Sequence, residues 1–231
     1  MNQNAKRIAE WLQENPGTTL TGQLLRDVIG VNRFKNVDLS KCDLSDADFR
    51  GETFCCVDFS KSTLVGANLE GAEATDSDFS DVNLSGAKLS RGNFTGSHFD
   101  HAFVHDIDAQ GAVFVSTRFE HAVLTNSRFE GANFYRAHLD EINIVDTLLI
   151  DTNFLHVRAK HALVYGSNFQ NSDMSWSKWW RSRFVNTDLS QVVVDRANFR
   201  WVTFSQVLDD RVDWRTTNRK GMLVNKDLEH A

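Results

Sequence analysis

Apolar side chains return along this chain at every fifth position. Sixteen of its seventeen phenylalanines carry numbers ending in 4 or 9, and all thirty-five positions of that series from Phe34 to Phe204 are apolar. Leu, Val, Ala, Ile144, Met174 and Trp179 occupy the places Phe leaves. Two residues before each centre the side chain is usually small, as at Ala47, Ala67, Ala87, Thr117, Ser127, Ala132, Ser167, Ser182 and Ala197. A step of five fits neither the 3.6 of a helical stripe nor the 2 of a strand, so the chain must turn at every step to bring each apolar residue back inside. Four turns close a square coil of twenty residues. Coils stacked at the ~4.8 Å spacing of hydrogen-bonded strands then make a rod of roughly nine coils, about 40 Å long.

Centres twenty apart should form one inner column, such as Leu39, Phe59, Phe79, Phe99, Phe119, Leu139, Ala159, Trp179 and Phe199. Trp179 is too large for an ordinary central site, and Ala159 one coil below leaves the room it needs. Glu52 is the opposite anomaly, a carboxylate at a small inward position that requires a partner. Asn32 or the backbone of the N-terminal segment can supply one, or a loose first coil lets Glu52 reach water.

The open ends of such a rod are sheet edges that need covering. Residues 1–30 read as a helical cap. Ala5, Ile8, Leu12 and Trp11 form one stripe that Pro16-Gly17 ends, and Leu20, Leu24, Leu25, Val28 and Ile29 form a second, with Thr21 as N-cap and Gly30 as stop. A DNA-reading helix-turn-helix is disfavoured, because Lys6, Arg7 and Arg26 are balanced by Glu10, Glu14 and Asp27. Residues 31–207 form the uninterrupted repeat. Residues 208–231 form a C-terminal cap and polar tail, in which the phase falters at Asp209 and returns at Val212-Asp213-Trp214.

The pentads Ala47-Asp48-Phe49, Ala67-Asn68-Leu69, Ala132-Asn133-Phe134, Ser167-Asn168-Phe169 and Ala197-Asn198-Phe199 resemble the consensus of the pentapeptide-repeat family. That resemblance implies an all-β fold, a right-handed quadrilateral β-helix. Some relatives protect or inhibit type II topoisomerases as DNA mimics, which implies DNA gyrase or topoisomerase IV as a partner and a role in antibiotic resistance. Others dimerise through an apolar C-terminal helix. Here Met222, Leu223, Val224 and Leu228 are all the tail offers for that, although a homodimer remains compatible with the sequence.

Composition narrows the classes. The chain has 231 residues, is 41% hydrophobic and carries a net charge of −6. It has no apolar run of the ~18 residues that a membrane span requires. The N-terminus lacks the basic-then-apolar layout of a signal peptide, which makes the cytoplasm the expected compartment. Cys42, Cys55 and Cys56 are too few to frame the fold and read as reduced structural thiols, with Cys42 inward and the other two at a corner. An unbroken convex rod offers no place to exclude water, so the chain reads as non-enzymatic, with no cofactor and no metal.

Outward residues also fall into columns, and on one face their chemistry changes along the rod. The first coils carry Asp38, Asp58 and Asp78; the middle coils carry His98, Asp100 and His101, then Arg118, Glu120 and His121, then His138, Asp140 and Glu141. The last coils carry Arg158, Lys160, His161, Lys178, Trp180, Arg181, Arg200 and Trp201, with Trp176 and Arg196 on the neighbouring face. Residues 34–100 hold 6 Lys/Arg and 12 Asp/Glu, net −6, whereas residues 156–204 hold 7 and 3, net +4.

Each zone has competing readings. Asp before the central residue supports the turn. Under the family resemblance, Asp38, Asp58, Asp78, Asp100, Glu120 and Asp140 are instead candidate phosphate mimics. His101 and His121 lie within reach of a divalent cation, or are solvated surface imidazoles. Arg158, Lys160, Trp176, Lys178, Trp180, Arg181, Arg196, Arg200 and Trp201 form a candidate patch for a protein partner, because exposed Trp and Arg are enriched at interfaces. The patch suits a protein-interaction scaffold or a secreted effector. The leading reading there is that the polar tail folds back over the tryptophans; a protein interface comes second and single-stranded nucleic acid last. Phe103, Val123, Val145, Leu163, Tyr165 and Val185 on one wall, and Val115, Tyr135 and Leu155 opposite, read as ladder packing or as a self-association surface.

Overall fold

The turn demanded at every fifth residue is built from left-handed backbone. In the computed structural model, which describes residues 2–225, the positions ending in 1 or 6 take positive φ along the array, from Asn36 at 54° to Arg211 at 60°. Asn, Asp and Gly fill many of these corners, where such conformations cost least, but Lys61, Arg91, His121 and Trp176 adopt them too. The stacked ladder therefore over-determines the corner. Backbone bonds to the coils on either side repay the local strain.

Two helices precede the array, α1 (Gln3–Glu14) and α2 (Gly22–Ile29). Ten short strands follow: β1 (Phe34–Lys35), β2 (Thr53–Cys55), β3 (Glu73–Thr75), β4 (Phe103–His105), β5 (Val123–Thr125), β6 (Asn143–Val145), β7 (Leu163–Tyr165), β8 (Arg183–Val185), β9 (Thr203–Ser205) and β10 (Leu223–Asn225). All pair in parallel with a register of twenty, as in Phe34↔Phe54, Val104↔Leu124 and Phe184↔Phe204. Single-residue parallel bridges complete the other walls, running Asp38↔Asp58↔Asp78↔His98↔Arg118↔His138↔Arg158↔Lys178↔Asn198 on one of them. The molecule is thus a parallel β-solenoid of about ten turns.

Every centre from Phe34 to Phe204 is buried. The rings of Phe59, Phe79, Phe99 and Phe119 stack face to face at 4.8, 4.8 and 4.7 Å, the rung spacing of the backbone. Hydroxyls at the small inward positions are satisfied across rungs: Ser77 Oγ accepts from Val57 N and donates to the Thr75 carbonyl, and Ser182 Oγ accepts from Ala162 N and donates to that of Ala159. Trp179 is fully buried as expected. Its indole meets Phe154 in the coil below at 6.0 Å, while its Nε1 has no hydrogen-bond partner.

The cap docks by imitating a rung. Asp48 N donates to the Leu20 carbonyl and Gly22 N to that of Asp48, so residues 20–22 lie along the first coil as a partial turn. Thr21 and left-handed Gly30 bound α2 as expected, and Ala5, Ile8, Leu20, Leu25 and Ile29 extend the apolar core. Glu52 is paired neither with Asn32 nor with the cap backbone: its carboxylate takes Arg26 Nη1 of α2 at 2.5 Å. Gly22 makes room, since a Cβ there would collide with that carboxylate.

At the other end hydrogen bonding outlasts apolar filling. Beyond residue 207 the ladder continues through Asp188↔Leu208, Asn198↔Asn218 and β10 on β9. The centres there are Asp209, Trp214, Arg219 and Val224, of which Trp214 packs on Phe199 and Phe204 at 5.3 and 5.6 Å and closes the column. A change in what fills the coil therefore marks residue 207. Leu228, counted with the tail, lies outside the described residues.

Candidate interaction face

One wall gathers nearly all the outward residues that the sequence singles out. Behind it runs the inner column from Leu39 to Phe199. Its outer surface carries two inner columns, Asp38 to Asn198 and Ser40 to Arg200, flanked by corner columns through Trp176 and Arg196 on one edge and Arg181 and Trp201 on the other. Trp176 and Arg196 belong to this corner, next to the patch.

In the lower coils the aspartates do structural work. The Oδ1 atoms of Asp58 and Asp78 each accept the backbone N–H of the serine two residues on, Ser60 and Ser80, at 2.8 Å. Asp38 does the same for Ser40 and also accepts from Asn2 Nδ2 at 2.8 Å, which ties it to the cap. Among the described residues the second carboxylate oxygens of Asp58 and Asp78 take no hydrogen bond or salt bridge.

The middle coils hold an ion-pair ladder. Arg118 Nη2 reaches Asp100 Oδ2 at 2.9 Å and Glu120 Oε2 at 3.5 Å; Arg158 Nη2 reaches Glu120 Oε1 at 3.2 Å and Asp140 Oδ2 at 2.7 Å. Asp100 and Asp140 also accept the backbone N–H of Glu120 and Lys160 at 2.9 Å. The three carboxylates are only 14%, 27% and 17% exposed. Each carboxylate in this half of the anticipated phosphate-mimic strip therefore has an arginine partner, two guanidiniums against three carboxylates. The ladder is not apparent from the repeat because Arg118 and Arg158 pair with residues 18 or 38 positions back and, in Arg118–Glu120, two ahead, all across columns. A search for opposite charges at a separation of 18 would have found it.

His101 and His121 stack at 4.9 Å, and His121 Nδ1 lies 3.3 Å from Glu141 Oε2. Among the described residues no three His, Cys, Asp or Glu side chains converge on a point that would hold a metal ion.

In the upper coils guanidinium groups lie over indole rings. Arg181 sits 4.7 Å from the Trp180 ring and Arg196 4.7 Å from that of Trp176, a pairing that fixes both partners in place. His161 and His156 border the same two rings. Trp176 and Trp201 remain 44% and 49% exposed. Gly221 lies against the Trp201 indole, so the chain up to Asn225 adds a rung beside the patch and leaves it open. Among the described residues Lys160, Lys178, Arg181 and Arg200 form no salt bridge.

The thiols separate as the sequence places them. Cys42 is buried, and burial first, then the charges of Asp38 and Asp58, push its pKa up to about 12. Cys55 and Cys56 lie at the corner with their sulfurs 3.6 Å apart. On the wall built by β4 to β9, Phe103, Leu163 and Tyr165 are the exposed apolar residues. No helix among the described residues is long and apolar enough to cross a membrane.

A family model described as pentapeptide repeats matches eight copies, over residues 33–71, 54–91, 77–114, 112–149 and 167–206. Among solved structures, HetL, a pentapeptide repeat protein involved in heterocyst differentiation regulation in the cyanobacterium Nostoc, aligns with a TM-score of 0.83 at 18% identity, covering 92% of this chain and all of HetL. QnrB1, a plasmid-mediated fluoroquinolone resistance protein, aligns with a TM-score of 0.47 at 18% identity over 78% of this chain and 90% of its own. A pentapeptide repeat protein of the Arabidopsis thaliana thylakoid lumen gives 0.31 at 26% identity over 48% of this chain and 66% of its own. No curated protein sequence matches the chain. The likeness to HetL carries the fold, and at these identities none of the three carries a function.

Proposed function

The chain belongs to the pentapeptide repeat family, and on that basis we propose that it is a non-catalytic rod that binds a protein partner through the Trp/Arg end of one wall. The observation that supports this reading is the set of three tryptophans, Trp176, Trp180 and Trp201, held beside four cations that lack carboxylate partners among the described residues. Rigid aromatic and arginine side chains make interface anchors at small entropic cost. The free cations select an acidic partner surface. The test compares immobilised wild-type chain with a Trp176→Ala/Trp180→Ala/Trp201→Ala variant of unchanged circular dichroism, exposed to host lysate. A protein retained at least about tenfold less by the variant is the expected result, since one hot-spot residue is worth ~2 kcal/mol. Identical retention profiles overturn the reading.

A second reading, a DNA mimic directed at a type II topoisomerase, draws support from the stacked, outward Asp58 and Asp78. Asp100, Glu120 and Asp140, engaged by Arg118 and Arg158, leave that strip short. In gyrase supercoiling with and without a quinolone, the reading requires a change that Asp58→Asn/Asp78→Asn abolishes. No change in either assay removes it.

A further inference from the structure

The same wall is complementary to itself when reversed. Nine of its bridged rungs run from Asp38 to Asn198 with Arg118 at their midpoint, and a tenth at Asn218 lies beyond them. A twofold axis lying across the rod at that rung lays a second copy face to face and antiparallel, so that each column meets its own column inverted. Asp58 then faces Lys178 of the other copy, Asp78 faces Arg158, and at the corners Asp76 faces His156, Asp81 faces His161 and His101 faces Glu141. Within the column from Ser40 to Arg200 the small residues of the lower coils meet the large ones of the upper coils, Ser40 opposite Arg200, Ser60 opposite Trp180 and Ser80 opposite Lys160, while Asp100 faces Asp140. At the axis Arg118 and Glu120 each meet their own copies, and Arg118, like the Arg158 that faces Asp78, is already paired with carboxylates of its own chain. The like pair Lys61 and Arg181 lies at a corner, where Arg181 is laid back on Trp180.

We propose that this wall is an antiparallel homodimer interface, with a second copy of the chain as its occupant. The parallel alternative, with the axis along the rod, lays the acidic lower coils of the two copies on one another and the basic upper coils likewise, so charge favours the antiparallel orientation. The wall is about 40 Å long and ~10 Å wide, roughly 400 Å² from each copy, which is half the area of a standard stable interface. The pairing is therefore weak, electrostatic and salt-sensitive. It rests on the reading of this wall as an interaction surface, and its test uses the purified chain alone, so either can fail without the other.

Light scattering coupled to size exclusion gives the readout. The expected result is a dimer at about 20 mM salt and a monomer at about 0.5 M, where screening shortens to a few ångströms. Asp58→Lys places a lysine opposite Lys178, and Lys178→Glu places a glutamate opposite Asp58, so each variant alone is monomeric at low salt. Mixed in equal amounts they restore both complementary pairs and recover the dimer. A wild-type monomer at low salt overturns the proposal. So does a dimer that survives high salt or either substitution, as end-to-end pairing through β10 would, and so does a mixture that stays monomeric.

Discussion

The lower and upper coils of the wall share one backbone and one register and differ in almost everything attached to it. Inside, the lower coils hold Phe59, Phe79, Phe99 and Phe119 stacked within 13° of parallel. The upper coils replace that stack with Ala159 beneath a tilted Trp179, whose ring lies 60° to 90° from Phe154, Phe169 and Phe184. Outside, carboxylates that brace turns give way to cations laid on indoles. The backbone tolerates both because each coil is hydrogen-bonded only to its neighbours and asks two things of a residue: an inward volume that fits the coils above and below, and an outward group that fits its own rung. Chemistry can therefore be graded along the rod without altering its course.

The largest test of this comparison lies in the lower interior. Phe99 is held between Phe79 and Phe119 and edged by Phe94 and Phe114, so Phe99→Ala should cost about 3–5 kcal/mol by urea unfolding. A loss below about 1 kcal/mol would mean the stack is not what holds these coils together.

The upper interior should behave differently, because volume there is shared between two positions. Ala159→Leu should cost about 1–3 kcal/mol by overpacking against Trp179, and adding Trp179→Leu should recover most of it. Simple additivity in that double-mutant cycle would show that Ala159 and Trp179 do not compensate.

The smallest effect separates the ladder from the patch. Arg158→Met leaves Asp140 without an ionic partner and Glu120 with Arg118 alone and should lower stability by about 1 kcal/mol, whereas Lys178→Met, one rung up and unpaired, should change it by less than about 0.5 kcal/mol. Equal effects in urea unfolding would mean that the ladder adds nothing beyond surface charge.

What could be read from the chain alone follows from the repeat. A period that never slips determines the coil of twenty, the inward identity of Phe34 through Phe204, and which outward residues share a column, because all of these are multiples of five. Even Trp179 and Ala159 could be matched by counting twenty. Only the folded molecule decided the links that are not such multiples: Arg26 on Glu52, Asn2 on Asp38, Arg118 and Arg158 across Asp100, Glu120 and Asp140, and Arg181 over Trp180. Each depends on how far a long side chain reaches between columns or on where a cap without the repeat docks. Those links determine which of the wall's charges are spent within the chain and which remain for a partner.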